Sequence, residues 1–241
     1  MSTTYSGRGL HGQVVAVVGR RIVTGALPEN ATIDLIGLEV ELDVSRTVVR
    51  EALKVLAAKG LIDARQKRGT FVRPRTAWNL LDPDLIRWEF EHRGAAEMLT
   101  QLTEVRLIFE PAAAALAAGR ATVADLTELD AALQQMEAAS TSAETMAADV
   151  RFHRTLLAAT GNELLARLEV VTSTVLAERD RIMHDVNPPA DLVPSHRAVL
   201  DAIRDGDAAG ASRRVRVLLT TAAEDVNRTI ALRGAPVEHA G

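Results

Sequence analysis

Asp43-Val44-Ser45-Arg46-Thr47-Val48-Val49-Arg50-Glu51-Ala52-Leu53-Lys54-Val55-Leu56-Ala57-Ala58-Lys59-Gly60 is the stretch whose pattern settles the architecture of the N-terminal region. Ser45 is a good N-cap, because its hydroxyl can accept from the free amides of the following turn. Val49, Ala52, Leu53 and Leu56 recur at i, i+3, i+4 and i+7, which gives one inward face to a helix over 46–59. Gly60 ends that helix as a left-handed cap. Arg46, Thr47, Arg50 and Lys54 lie toward the other side.

Upstream, Val14, Val15, Val18 and Ile22 form a helical stripe over 14–23, stopped by Gly25, and a shorter helical segment covers 36–42. Two helices, a tight connection at 43–45 and a third helix with basic residues at its start make a helix-turn-helix pattern. In that geometry the first residues of the last helix reach base edges in the major groove. Arginine suits the role because its fork bonds guanine O6 and N7 together. Taken alone, Arg46 and Arg50 would better suit a solvated basic face. The residues after Gly60 argue against that reading. Residues 61–65 and 70–73 read as strands, and Gln66-Lys67-Arg68-Gly69 between them reads as a basic turn. Such a hairpin beside a recognition helix is a wing, whose tip enters a minor groove or grips phosphates.

The whole chain hides this basic head. Its 241 residues carry 28 Lys and Arg against 32 Asp and Glu, a net charge of −4. Residues 1–76 hold 12 basic and 7 acidic residues, a net of +5; residues 77–241 hold 16 and 25, a net of −9. The asymmetry suggests that the head meets a polyanion. Residues 73–79, with Pro74 and no periodicity, read as a short linker, so the expected domains are 1–76 and 77–241. The absence of cysteine excludes a disulfide scaffold, a cysteine zinc site and a thiol nucleophile. No apolar run approaches the ~18 residues of a membrane span, and Met1 to Leu10 shows no signal-peptide core. A cytoplasmic protein without a membrane partner is expected.

Beyond the linker, helical patterns run over 82–92, 95–119, 122–139, 142–160, 162–186, 190–205 and 207–233, with Pro111 inside the second and residues 234–241 as a frayed tail. No strand pattern interrupts them. The expected fold class is therefore mainly α: a winged helix-turn-helix followed by an all-α bundle. The informative residues sit in the bundle's apolar seams. Arg106 interrupts the line Leu99, Leu102, Phe109, Ala113; Asp149 and His153 share a face at i and i+4; His196 shares one with Leu192, Val199, Leu200 and Ile203. Burying such groups is costly unless they are paired, bonded or hydrated. They form either a set of satisfied core histidines with an Arg–Asp ion pair, or the wall of a polar cavity. Asp149, His153 and His196 supply one oxygen and two nitrogens, enough for zinc or a similar cation. Arg106 would suit the carboxylate of a small anion. Arg179 and Asn227 read as surface residues that could also add cavity contacts.

Val44 to Leu53, Gly60-Leu61-Ile62 and Arg68-Gly69-Thr70-Phe71-Val72, in that order and spacing, resemble the DNA-binding domain of GntR-type bacterial transcription regulators. By that resemblance Ser45, Arg46, Thr47 and Arg50 contact double-stranded operator DNA, and Gln66, Lys67, Arg68 and Gly69 form the wing tip. Asp34, Glu39 and Glu41 depart from the pattern by making the second helix acidic. Residues 105–111, 149–153, 160–162 and 195–197 resemble the ligand-binding FCD domain of the FadR-type branch. There an Asp and three His hold a metal in many members. Asp149, His153 and His196 match three of those positions, and the fourth falls near Leu218, which cannot coordinate. These three residues then touch a ligand directly or hold a metal completed by ligand and water. The segment from Arg73 to Trp88 is similar to that of galactonate-responsive repressors, which implies an aldonate or related carboxylate effector. The resulting expectation is a homodimeric, ligand-responsive repressor. The alternative is a metal-dependent hydrolase using the bundle cavity.

Overall fold

The computed structural model describes residues 9–183 and 192–234. The chain divides into two compact units, Met1–Gly94 and Ala95–Gly241. No helix among the described residues is long and apolar enough to cross a membrane.

In the N-terminal unit, α1 (Leu10–Val23), α2 (Leu35–Glu41) and α3 (Arg46–Ala58) precede a hairpin of β1 (Ile62–Arg65) and β2 (Gly69–Val72), and α4 (Pro83–Arg93) follows. Local chemistry sets the ends of α3. The Ser45 hydroxyl accepts from the Val48 amide at 3.4 Å. At the other end the Gly60 amide donates to the Ala57 carbonyl and the Leu61 amide to the Leu56 carbonyl, with Gly60 at φ +78°. This paired closure is the left-handed cap that glycine permits. A Cβ on Gly60 would lie 2.5 Å from the Ala77 carbonyl oxygen, so space as well as φ requires glycine. Val14, Val18 and Ile22 of α1 and Val49, Ala52, Leu53 and Leu56 of α3 share one buried core with Ile62 and Val72.

Two features of this unit were not visible in the periodicity. Residues 30–33 pair with the free edge of β2: Val72 donates to the Ala31 carbonyl at 3.0 Å and Ile33 to the Thr70 carbonyl at 2.8 Å. The segment is too short to show an alternating pattern. The second feature moves the domain boundary. Leu85 and Trp88 of α4 belong to the core of the head, and the Trp88 ring lies against Gly19, where a Cβ would meet it at 2.3 Å. Buried Lys59 reaches back to Asp82 at 2.8 Å and Asp84 at 2.7 Å. The linker and the first helix assigned to the body are thus part of the head, and the units divide at Gly94 where the sequence had suggested Thr76.

The C-terminal unit consists of α5 (Ala95–Ala118), α6 (Val123–Ala138), α7 (Ser142–Ala158), α8 (Glu163–Arg167), α9 (Glu169–Met183), α10 (Leu192–Arg204) and α11 (Ala208–Gly234). Thr122 and Thr141 cap α6 and α7 with reciprocal bonds to Asp125 and Glu144. Pro111 is accommodated inside α5. The single helix expected over 162–186 is two. Asn162 caps the short α8, and the Leu168 amide turns back to the Leu165 carbonyl, tightening its last turn and separating it from α9. The rest of that expectation, residues 184–186, and the frayed tail over 235–241 lie outside the described residues. Leu129, Leu133, Phe152, Leu156, Leu200, Ile203, Val215 and Leu219 form the bundle's apolar core. Helix α11 packs along α5, and α6 along α7.

Candidate functional site

The head presents a basic face. Ser45, Arg46, Thr47 and Arg50 are all exposed at the start of α3, as are Gln66, Lys67, Arg68 and Gly69 in the hairpin. The hairpin register pairs Arg65 with Gly69. The loop is therefore the three residues Gln66, Lys67 and Arg68, and Gly69 opens β2 at φ +77° where a turn position had been expected. Lys67 stands at the apex with φ +69°. Arg68 does a different job: its guanidinium stacks 3.7 Å from the Phe71 ring centre and donates to Asn30 Oδ1 at 3.1 Å. It binds the wing to residues 30–33. The acids of α2 serve the head internally. Asp34 caps α2 by accepting from Ile36, Glu41 holds Arg21 at 2.8 Å, and Glu39 lies 3.9 Å from Arg46.

In the bundle the four seam residues converge. Asp149 and His153 come from α7, His196 from α10 and Arg106 from α5; each is at most 4% exposed. Their helical spacing turns them inward, and packing brings the three elements to one point. Both imidazoles approach the same carboxylate oxygen, Asp149 Oδ1: His196 Nε2 at 3.1 Å and His153 Nε2 at 3.3 Å. Phe152 braces them, edge-on to His153 and His196 with ring centres 5.9 and 4.9 Å away.

Sequence reasoning missed two partners, Glu110 and Thr172. Glu110 is fully buried and accepts from Arg106 Nε at 2.6 Å, from Arg106 Nη2 at 3.3 Å and from the Thr172 hydroxyl at 2.7 Å. Its other neighbour is His153, whose Nδ1 lies 2.8 Å from Oε2, close but off the line of a hydrogen bond. The i, i+4 spacing of Arg106 and Glu110 was the available signal; Thr172, brought in by α9, gave none. One edge of the Arg106 fork is thus occupied by Glu110, and Nη2 also lies 3.4 Å from His153 Nε2. Nη1 has no protein partner among the described residues.

Burial alone would raise the pKa of Glu110 and Asp149. Arg106 and His153 outweigh it at Glu110, and His153 and His196 at Asp149, so both carboxyls are held well below the usual range. Burial would lower that of His153, but Glu110 and Asp149 raise it above the ordinary value. The His196 Nδ1 faces the Leu192 carbonyl at 2.8 Å. That carbonyl can only accept, so Nδ1 carries a proton and Nε2 is the nitrogen turned to Asp149. His196 Nε2 and the Asp149 carboxylate thus face one another as acceptors, and a cation between them would relieve their repulsion. The donor atoms of Asp149, His153 and His196 lie within 4.8 Å of one another, and this set fits a divalent metal. Glu110 behind His153 matches the outer carboxylate that commonly orients a ligating imidazole. Leu218 is buried in the apolar core and adds no ligand.

Arg106 and Arg179 border a cavity of about 210 Å³, whose wall also includes Thr100, Thr103, Glu104 and Asn227 among leucine, valine and alanine side chains. Arg179 Nη1 lies 3.4 Å from Asp149 Oδ2. The polar cluster therefore lies behind the two arginines, and Asn227 lines the same space.

Residues 10–72 match the family described as "Bacterial regulatory proteins, gntR family", and residues 101–221 match the FCD domain. The chain is 36% identical over 209 residues to the galactonate operon transcriptional repressor of Escherichia coli (strain K12), covering 82% of this chain and 89% of that protein. It is 31% identical to the HTH-type transcriptional regulator LutR of Bacillus subtilis (strain 168), covering 85% and 95%. Among solved structures, Streptococcus agalactiae GntR superposes with a TM-score of 0.50 at 25% identity, covering 89% of this chain and 99% of that one. Lar of Listeria monocytogenes superposes at 0.64 and 19% identity, covering 92% and 98%, a likeness of fold. These matches set aside the hydrolase alternative. The chain belongs to the GntR family of bacterial regulatory proteins and carries its FCD domain: it is a DNA-binding transcription regulator that responds to a ligand, and it is not an enzyme.

Proposed function

We propose that this regulator is a cytoplasmic homodimeric repressor whose effector is a sugar acid, galactonate or a related aldonate, bound in the bundle cavity. The observation that carries the reading is the make-up of that cavity. Two guanidiniums stand on its wall, and Thr100, Thr103 and Asn227 offer hydrogen bonds along the rest. A polyhydroxy carboxylate needs both, since its carboxylate pairs with arginine and its hydroxyls need partners once out of water. About 210 Å³ suits a small ion and lies below the roughly 300–1,000 Å³ of drug-sized pockets. Glu104 on the same wall disfavours a second negative charge, which argues for a monocarboxylate. The name of the E. coli relative points the same way.

Asp149, His153 and His196 would hold a divalent cation such as zinc, which would add positive charge behind the cavity for an effector oxygen. On the DNA side, Arg46, Thr47 and Arg50 would read base edges in the major groove, with Ser45 capping the helix that carries them. Lys67, flanked by Gln66, Arg68 and Gly69, would meet the backbone or minor groove. Each head of the dimer would take one half of a two-fold operator. The effector would release DNA by binding better to the arrangement of heads that cannot span both half-sites.

Gel shifts with the operator test both halves. Arg46→Ala should lower specific affinity about 5- to 150-fold, the 1–3 kcal/mol of one base-reading arginine, while effector binding measured by calorimetry is kept. D-galactonate should release wild-type protein from the operator. If it neither binds nor releases, the sugar-acid assignment is wrong. If Arg46→Ala binds operator as wild type does, the reading face lies elsewhere.

A further inference from the structure

Asp149 faces two ways. Its Oδ1 receives the two imidazoles, and its Oδ2 faces Arg179 Nη1 at 3.4 Å. The two arginines on the cavity wall are held very differently. Arg106 is 4% exposed and clamped by two hydrogen bonds to Glu110. Arg179 is 15% exposed, stands on the cavity wall, and meets Asp149 through one long contact.

We propose that Arg179 couples two binding events in the bundle. A divalent cation held by Asp149, His153 and His196 draws the Asp149 charge away from Arg179, and the guanidinium so released anchors the effector carboxylate in the cavity. The inference rests on the effector site proposed above. Its physical basis is that one carboxylate serves two cations in a site of low dielectric, where like charges repel strongly. Without an anion, metal and Arg179 compete for Asp149. With an anion in the cavity, Arg179 gains a new partner and the repulsion is offset. Metal and anion then raise one another's affinity, by the same factor in each direction. Arg106 cannot take this part, because moving it would strand Glu110 as an unpaired buried charge.

The test is calorimetric titration of the full-length, chelator-stripped protein with Zn²⁺ alone, with D-galactonate alone, and with each in the presence of the other. Asp149→Asn establishes that the Zn²⁺ signal comes from this site. Zn²⁺ alone should bind Arg179→Met about tenfold more tightly than wild type, because the competing charge is gone. Arg179→Lys, which keeps the charge, should stay close to wild type. D-galactonate should tighten Zn²⁺ binding about tenfold in wild type and less than twofold in Arg179→Met. The proposal is overturned if Arg179→Met binds Zn²⁺ equally or more weakly, which would make Arg179 a clamp that positions Asp149. Coupling that survives in Arg179→Met, or a Zn²⁺ signal indifferent to Asp149→Asn, would overturn it too. A tenfold gain for Arg179→Met with no effect of D-galactonate on any variant supports the competition for Asp149 and removes galactonate as the effector. Unchanged circular dichroism of each variant verifies the fold.

Discussion

In the head, buried charge sits at the edge of an apolar core: Lys59 lies between Asp82 and Asp84 where α3 meets the segment before α4, and the arginines at the start of α3 face outward. In the bundle it sits at the centre, where Arg106, Glu110, Asp149, His153 and His196 stack between α5, α7 and α10. The difference follows the partner each unit must meet. A DNA surface is large and outside, so cations that read it stay solvated and cost little to keep. A small ion of the kind proposed as effector would have to be desolvated to be recognised, and the bundle's charges are built inside, where the low dielectric makes each one consequential. The bundle carries a costly polar cluster whose members depend on one another.

The largest expected break in this comparison is Glu110→Ala. Removing the carboxylate leaves Arg106 and His153 buried without compensation, and loss of one partner of a buried pair costs about 3–5 kcal/mol. Both tryptophans, Trp78 and Trp88, lie in the head. Urea unfolding followed by tryptophan fluorescence therefore reports the head, and far-ultraviolet circular dichroism is dominated by the bundle. Glu110→Ala should move the dichroism transition and leave the fluorescence transition in place. Equal movement of both would mean that the units unfold as one.

Gly19→Ala probes the head in the same way. By helix propensity alone alanine should stabilise α1 by about 1 kcal/mol. The new Cβ would meet the buried Trp88 ring at 2.3 Å, and overpacking of this kind costs about 1–3 kcal/mol. The net expectation is a loss of up to about 2 kcal/mol, read in the fluorescence transition with dichroism little changed. A gain would show that α4 is not locked against α1.

A milder effect should come from pH, measured in chelator. Glu110 and Asp149 have lowered values, so their contribution is present above their ordinary 4.5 and 3.8 and is lost as pH falls toward their folded values. His153 has a raised value, so its contribution is present below its ordinary 6.5 and is lost as pH rises through the folded one. Thermal unfolding of the bundle should therefore peak between about pH 4.5 and 6.5 and decline on both sides. The head, whose shifted groups are largely exposed, should give a flatter profile. Profiles of the same shape for both units would remove the distinction between solvated and buried charge.

How much of this was legible depended on distance along the chain. The caps of α3, its inward face and the basic hairpin are local, and Ser45, Gly60 and the repeat of Val49, Ala52, Leu53 and Leu56 announce them without help from the rest of the molecule. The seam residues of the bundle were legible one helix at a time, because a polar residue in an apolar stripe must point inward. Their common meeting point was not, since no periodicity says which seams face each other. Residues 30–33 could be recognised as a strand only once β2 offered an edge. The place of α4 hung on a glycine and a tryptophan 69 positions apart that leave room for each other.

By itself, then, the sequence determined the winged helix, the helical class of the body, and the residue types with which each would do chemistry. These follow from backbone hydrogen bonding and from the burial of apolar faces, which are decided within a few turns. The tertiary structure alone decided that α4 belongs to the head, that Glu110 stands behind His153, and that Asp149 is shared between two imidazoles and Arg179. Those are matters of which buried charge finds which partner, and a charge taken out of water is governed by what lies within a few ångströms in space, however far away in the chain.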